Sequence, residues 1–455
     1  MTVAEIAGDA SPFAVLCAIA GERLPFFLDS GMDPERLGRF SFVGCDPFLV
    51  VHSSGKNVWI DGKRAGRNPF AVLRRLLKMQ RIKPPSAPIP FIGGAVGYFA
   101  YDLGRFIERL PDNTVADIPM PEMHVALYDT VAGFDHQTRK WHVSNIDAGA
   151  PGAARRRKRL ISAINGAPPP PQFRPVSAGK LTSNFTHDEY LRVIRRTKDY
   201  IAAGDIFQAN ISQRFEAETD ATPLELYAAL RSVNPAPFAA YLPVERGAVL
   251  SSSPERFLKV AGRRVQTRPI KGTRPRREGD DAFNEKMRAE LLASIKDRAE
   301  LTMIVDLERN DLGRVCSYGS VQVTEPIVLE EYPTVYHLVA TVEGDLHKRF
   351  DIVDLIKATF PGGSITGAPK IRAMEIIDEL EPTKRSVYTG KIGYIGFDGT
   401  ADLNIAIRTM LLAEGRVYLQ VGGGIVADSD PELEYQETLD KARAMFDALG
   451  VNCAV

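Results

Sequence analysis

Strand-like stretches in this chain arrive in runs and are not spaced singly between helices, and that ordering restricts the fold more than any other feature. Apolar and polar residues alternate through "PFFLDSG", "FSFVGCDPFLVVHSSGKNVWIDGK" and "ALYDTVAGFDHQTRKWHVSNID", each broken by turn residues. The pattern returns in "IFQANISQRFEAE", "AAYLPVERGAVLSSSPERFLKVAGRRVQTRPI" and "SVQVTEPIVLE", and two hairpin-like pairs fill "KIGYIGFDGTADLNIAIRTMLLAEGRVYLQVGGG". A doubly wound parallel sheet needs a crossover helix between its strands. The runs therefore predict an α+β fold, with antiparallel β-sheets forming a sandwich-like core and helices packed outside.

Helix starts are marked by capping residues. Asn68 precedes Pro69 in "NPFAVLRRLLKM", Thr186 opens "THDEYLRVIRRTKDYIAAGD", and Asp430 precedes Pro431 at the last helix. "AFNEKMRAELLASIKDRAELTMIVDLERNDLG" reads as two consecutive helices. A basic helix and a proline run, "GAARRRKRLISAINGAPPPPQFRPVSAGK", form a connector, because polyproline is extended and cannot enter a sheet interior. The chain thus divides into a β-rich part over 1–150, a connector over 151–180 and a catalytic part over 181–455. The "RRRK" block is read as a solvated helix face, with an anion site as the alternative.

Basic and acidic residues balance at 57 each, so nothing in the charge favours a nucleic-acid or membrane-surface partner. The apolar fraction of 44% suits a packed soluble core. "MTVAEIAGDASPF" lacks a basic n-region and an apolar run, and no stretch has transmembrane length, so a cytoplasmic location is expected. Cys17, Cys45, Cys316 and Cys453 are scattered without a CxxC pair, which points away from a disulfide framework or a zinc site.

Four features carry chemistry. "FPGGSITGAPKIRAMEIIDELE" places glycines and hydroxyls before a helix, either as an anion cradle of backbone N–H groups or as a tight turn. Gly422, Gly423 and Gly424 offer a nest for a carboxylate, or else a strand end or bulge. Glu434 and Glu437 are three apart on one helix face, and Glu300 lies on an otherwise apolar helix. Carboxylates of this kind suit Mg²⁺, which takes one or two of them and completes its shell with water; surface ion pairing is the alternative. Lys271, in "QTRPIKGTRPRREGD", is a nucleophile only as the free amine, a form that desolvation and the nearby Arg268 and Arg274 would favour. A salt-bridge or substrate-charge role remains open for it.

"PIKGT", "KDRAELTMIVDLERNDLGRV", "FPGGSITGAPKIRAMEIIDELEP" and "GGGIVADSDPELEYQETLDKA" resemble, in order, the signature blocks of the chorismate-utilising enzymes, over about Thr186 to the end. "LDSG", "GRFSFVG" and "GGAVGYFAYDLGRFIERLP" extend the likeness thinly into the first half. The lysine of "PIKGT" is similar to the branch that makes 4-amino-4-deoxychorismate, whereas the anthranilate-forming branch reads "PIAGT".

The resemblance implies that Lys271 adds at C2 of chorismate as the C4 hydroxyl leaves, and that ammonia then displaces it. Glu255, in "SSSPERF", matches the general acid. Glu300 and Glu437 match Mg²⁺ ligands, with Glu434 beside them. Gly272, Thr273, His337, Ser364, Thr366, Tyr388, Arg408, Gly422, Gly424 and Lys441 fall in the substrate-binding motifs. Gln208 replaces the lysine with which water-using relatives activate water. Ser30, Arg39, Ser41, Pro237 and Phe238 fall where some relatives hold tryptophan. A separate glutamine amidotransferase subunit would supply the ammonia, since the chain carries no Cys-His-Glu set of its own. Anthranilate formation is the rival expectation, and a non-catalytic chorismate or amino-acid sensor a more distant one.

Overall fold

A computed structural model describes residues 1–33, 35–332 and 335–451 of the chain. Two antiparallel sheets of twelve strands each form the body. The first runs from Thr2–Ile6 through Lys140–Asn145, Thr130–Asp135, Phe40–Gly44 and Phe26–Asp29, then crosses to Phe238–Val244, Gly247–Ser253, Thr409–Ala413, Arg416–Ile425 and Gln208–Glu218. The second crosses between the same parts of the chain where Lys391–Gly396 pairs with Gly94–Phe99. Each sheet is thus continuous across the two parts on either side of the connector.

Period-two patterning explains how the layers assemble. Along the first sheet Phe26, Phe42, Val131, Leu242, Val249 and Leu411 enter one apolar core, shared with the second sheet. Their sequence neighbours Phe27, Val43, Ala132, Tyr241, Leu250 and Leu412 enter another on the opposite face. That outer core is covered by the helices Pro12–Ile19, Ala153–Gly166, Pro223–Val233 and Pro431–Ala448. Each fully buried Leu or Phe in these layers contributes about 1.5–3 kcal/mol. Between the sheets Phe91 stacks on Tyr394 with ring centroids 4.2 Å apart.

The caps sit where the sequence places them. Asn68 accepts from the Ala71 N–H, Thr186 and Glu189 close a reciprocal capping box, and Asp430 accepts from Glu432 and Leu433. Ser294 ends the helix Asp281–Ala293 and caps Ile295–Gly313. The basic helix departs from a purely solvated face. Arg156 turns inward and pairs with the buried Asp129, and Arg159 reaches Asp46 and Glu22. Carboxylates from remote segments draw these two arginines down, which charge patterning along the helix could not reveal. Cys17, Cys45 and Cys316 are free thiols, and Cys453 lies outside the described residues. No helix among the described residues is long and apolar enough to cross a membrane.

Candidate active site

Lys271 lies on the strand Ile270–Pro275, which pairs with Val335–Asp345 in a broken register: Lys271 opposes Leu338 and Thr273 opposes His337. The break is made by Gly272, whose φ of 74° lies in the left-handed region. A Cβ there would also press to within 3.0 Å of Asp297. The irregularity turns Lys271 toward the helix Ile295–Gly313, where Nζ stands 3.6 Å from Glu300 Oε2. Arg268 and Arg274 do not surround it with positive charge as expected. Arg268 is taken up by Glu325, Glu330 and Thr341, and Arg274 by Glu290 and Asp297.

The glycine run forms a bare surface beside this amine. Gly422, Gly423 and Gly424 lie inside the ten-residue strand Arg416–Ile425, in unbroken pairing with Ser212, Ile211 and Asn210. They form neither a nest nor a bulge, because the ladder holds them extended. Side-chain absence still matters there. A Cβ on Gly424 would fall 2.1 Å from Gln208 Nε2 and 3.2 Å from Lys271 Nζ, so only glycine leaves room for the lysine tip. A Cβ on Gly423 would meet Glu434 Oε2 at 3.1 Å and Glu437 Oε1 at 3.9 Å. The helix Pro431–Ala448 therefore directs both carboxylates at one buried, side-chain-free length of backbone.

These carboxylates are balanced by amines. Lys296 lies 3.5 Å from Glu434 and 4.0 Å from Glu300, and Lys441 lies 2.6 Å from Glu437. Lys441 also holds Glu437 below the usual carboxylate range, whereas burial raises Glu434 despite the Ser429 hydroxyl it accepts at 2.6 Å. Among the described residues no three carboxylate, imidazole or thiolate side chains converge as a ready-made metal centre. Donor type and the absence of a side chain at Gly423 nevertheless fit a hard cation that keeps several waters and takes one or two carboxylates.

Arg408 bounds another side. Its backbone is left-handed, with φ 51°, and its guanidinium donates to the Lys441 carbonyl. No carboxylate lies within ion-pair distance of it among the described residues, and burial depresses its pKa. A desolvated guanidinium without an anion is a strong site for a substrate carboxylate. Tyr388, buried nearby, interacts with it electrostatically. His337 accepts or donates at Nδ1 to the Thr273 hydroxyl, 2.9 Å away, and burial pushes it down to about 4, so it is neutral at pH 7.

Deeper in, Ser364 donates to Glu255 Oε1 at 2.7 Å. Glu255 is buried, and that burial pushes it up to about 7, against the pull of Ser364, Lys391 and Lys271. Ser364 belongs to the 3₁₀ turn Gly363–Ile365, held from below by the Gly363 N–H donating to Glu308 Oε1 at 3.2 Å. That contact occupies one donor of the expected anion cradle. The Thr366 hydroxyl donates to the Gly362 carbonyl at 2.9 Å and so braces the turn. Lys391 and Glu308, in the same layer, were not singled out from sequence. The lysine heading the otherwise uncharged strand "KIGYIG" is the sequence feature that marks this group.

The Ser30 group is built differently. Ser30 Oγ donates to the carbonyls of Phe40 and Pro237, and its N–H to Ser41 Oγ. Ser41 contacts His136 at 2.8 Å, Arg39 clasps Asp135, and Phe238 lies under Arg256. Asp29, at its centre, takes Arg231 and Tyr227.

Residues 26–447 match the family described as chorismate binding enzyme. The chain belongs to the chorismate binding enzymes. It is 46% identical over 385 residues to an aminodeoxychorismate synthase component 1 of Salmonella typhimurium, covering 84% of this chain and 82% of the relative. It is 42% identical over 398 residues to an anthranilate synthase component 1 of Thermus thermophilus, covering 86% and 84%. The crystal structure of anthranilate synthase component I from Streptococcus pneumoniae superposes with a TM-score of 0.81 at 34% identity, over 90% of this chain and 92% of that one. Within this chorismate binding enzyme Lys271, Glu255, Glu300, Glu434, Glu437, His337, Ser364 and Arg408 come from seven separate segments of the chain, linked by the contacts described above.

Proposed function

We propose that this chorismate binding enzyme converts chorismate and ammonia to 4-amino-4-deoxychorismate. The observation that carries the reading is the Lys271 amine, delivered by the Gly272 break to the bare backbone at Gly424 beside Glu300. The Salmonella relative's name supports it.

Arg408 binds a carboxylate of the substrate, and Tyr388 and Lys441 order that end. The Lys271 amine forms a bond to C2 as the ring double bonds shift and the C4–O bond breaks. Glu255 gives its proton to the departing hydroxyl, which leaves as water. Ammonia then attacks C4, the double bonds shift back, and the C2–N bond breaks to restore Lys271. The enolpyruvyl ether is untouched throughout. Glu300 and Glu437, with Glu434 behind them, would hold Mg²⁺, which when bound would supply positive charge for the ring carboxylate. The ammonia is supplied by a second component that hydrolyses glutamine; "component 1" in the Salmonella relative's name supports a partner of some kind. The reaction is placed in the cytoplasm.

Anthranilate formation is the second reading, favoured by the Thermus relative. Incubation with chorismate, MgCl₂ and an ammonium salt separates the two. A product that retains the enolpyruvyl group is expected, and release of pyruvate with fluorescent anthranilate would overturn the proposal. Intact-protein mass after chorismate without a nitrogen source is expected to show the Lys271 adduct.

A further inference from the structure

Lys391 opens the strand Lys391–Gly396, is fully buried, and its Nζ has no hydrogen-bond partner among the described residues. A buried amine in that condition is costly relative to an apolar side chain of similar shape. It contributes little to packing that a methionine would not. Its surroundings are specific, however. Nζ stands 3.9 Å from the ring centroid of Phe257 and 5.8 Å from that of Phe360. A Cβ on Gly362 would come within 3.2 Å of it, so the glycine keeps the amine's flank open. The next two residues of that loop hold two carboxyl groups whose charge acts on the amine: Gly363 donates to Glu308, and Ser364 donates to Glu255. One short loop thus touches the amine and both acids.

We propose that Lys391 is a positioning residue for the proton donor: its amine, opposed by Glu308, governs when Glu255 holds the proton that the departing C4 hydroxyl takes. This rests on the reading of Glu255 as that donor. The proton passes from the Glu255 carboxyl to the hydroxyl oxygen as the C4–O bond breaks. The carboxylate left behind faces Lys391, whose ammonium form stabilises it across the loop. The other charges packed on this group are Lys271, which faces Glu255, and Lys370, which faces Glu308 and Lys391 and is itself paired with Asp311. Burial pushes Lys391 down to about 7 and Glu255 up to about 7, so the two exchange charge in the same pH range. Glu308 is raised by burial as well.

The test is the pH profile of kcat in the full chain with ammonium as nitrogen source. In wild type the limb that reports Glu255 falls as pH rises. Lys391→Met is expected to move that limb to higher pH by about one unit or more, because the carboxylate loses its cation, and to lower the plateau. Glu308→Gln is expected to move it the other way, and Lys391→Arg, whose guanidinium keeps its charge throughout, to leave it at or below the wild-type position and never above it. A folded Lys391→Met protein with an unmoved limb overturns the proposal. If that variant does not accumulate folded, an unmoved limb in Glu308→Gln overturns it instead. Glu255→Gln separates the two layers of inference. Wild-type turnover in that variant removes the donor reading and this proposal together. An inactive Glu255→Gln beside an unmoved Lys391→Met limb removes the role of Lys391 alone.

Discussion

The Lys271 cluster and the Ser30 cluster are both polar groups set into antiparallel sheets, and they differ in what is left unspent. Around Asp29 each polar group closes on another within the protein: Ser30 on two carbonyls, Ser41 on His136, Arg39 on Asp135, Arg231 and Tyr227 on Asp29 itself. Around Lys271 the capacity is open. Among the described residues Arg408 has no carboxylate within ion-pair distance, Lys391 Nζ and Gln208 Oε1 have no hydrogen-bond partner, and Glu255 is held by one serine. A buried group left unsatisfied is costly, so a concentration of them marks a place where something else completes the bonding. The first arrangement is a clamp joining the two parts of the chain; the second is a receptor.

The comparison breaks most visibly at Lys271. Lys271→Ala is expected to lower turnover by on the order of 10⁴-fold, as loss of a nucleophile does, and to abolish the adduct in intact-protein mass spectra. An unchanged rate would remove the covalent step. Glu255→Gln comes next, at about 10²–10⁴-fold in kcat. Glu255 must be protonated to act and is raised to about 7, so activity is full below that pH and lost as pH rises through it; the variant's profile should lack that limb. Glu300→Gln and Glu437→Gln are expected to raise the Mg²⁺ concentration for half-maximal activity about tenfold or more while leaving the melting temperature near wild type. A Mg²⁺ requirement that does not move would take those carboxylates out of the metal site.

How far the sequence discloses such regions depends on how local the physics is. The caps at Asn68, Thr186 and Asp430 were legible because a cap is decided within four residues. Lys271, Glu300 and Glu437 were legible through motif blocks, and Gly424 through its glycine neighbours. The field around Lys271 was not. Arg268 and Arg274 are near it in sequence, but Glu325, Glu330, Glu290 and Asp297 arrive from other segments to neutralise them. The Glu255, Glu308 and Lys391 group is hidden for the same reason, being assembled from three separate segments by the loop at Gly362. Period-two alternation foretold antiparallel sheets. It does not say which strands pair, so the continuity of both sheets across the connector had no sequence signal.

The smallest expected effects come from the closed cluster, and they test the comparison from its other side. Arg39 is half-exposed, with 43% of its side chain open to water, so its pairing with Asp135 is screened. Arg39→Ala should cost about 0.5–1 kcal/mol, read as a modest fall in melting temperature. Ser30→Ala loses a hydroxyl shared between two carbonyls and should cost about 1 kcal/mol. Neither should alter kcat or KM for chorismate, because the partners of both side chains belong to the Asp29 cluster and none to the Lys271 cluster. By the same reasoning L-tryptophan should leave the melting temperature and the turnover unchanged. A tryptophan-dependent rise in melting temperature, abolished by Ser30→Ala, would show that the internal bonds open to admit a ligand, and closure within the protein would then no longer distinguish a clamp from a receptor.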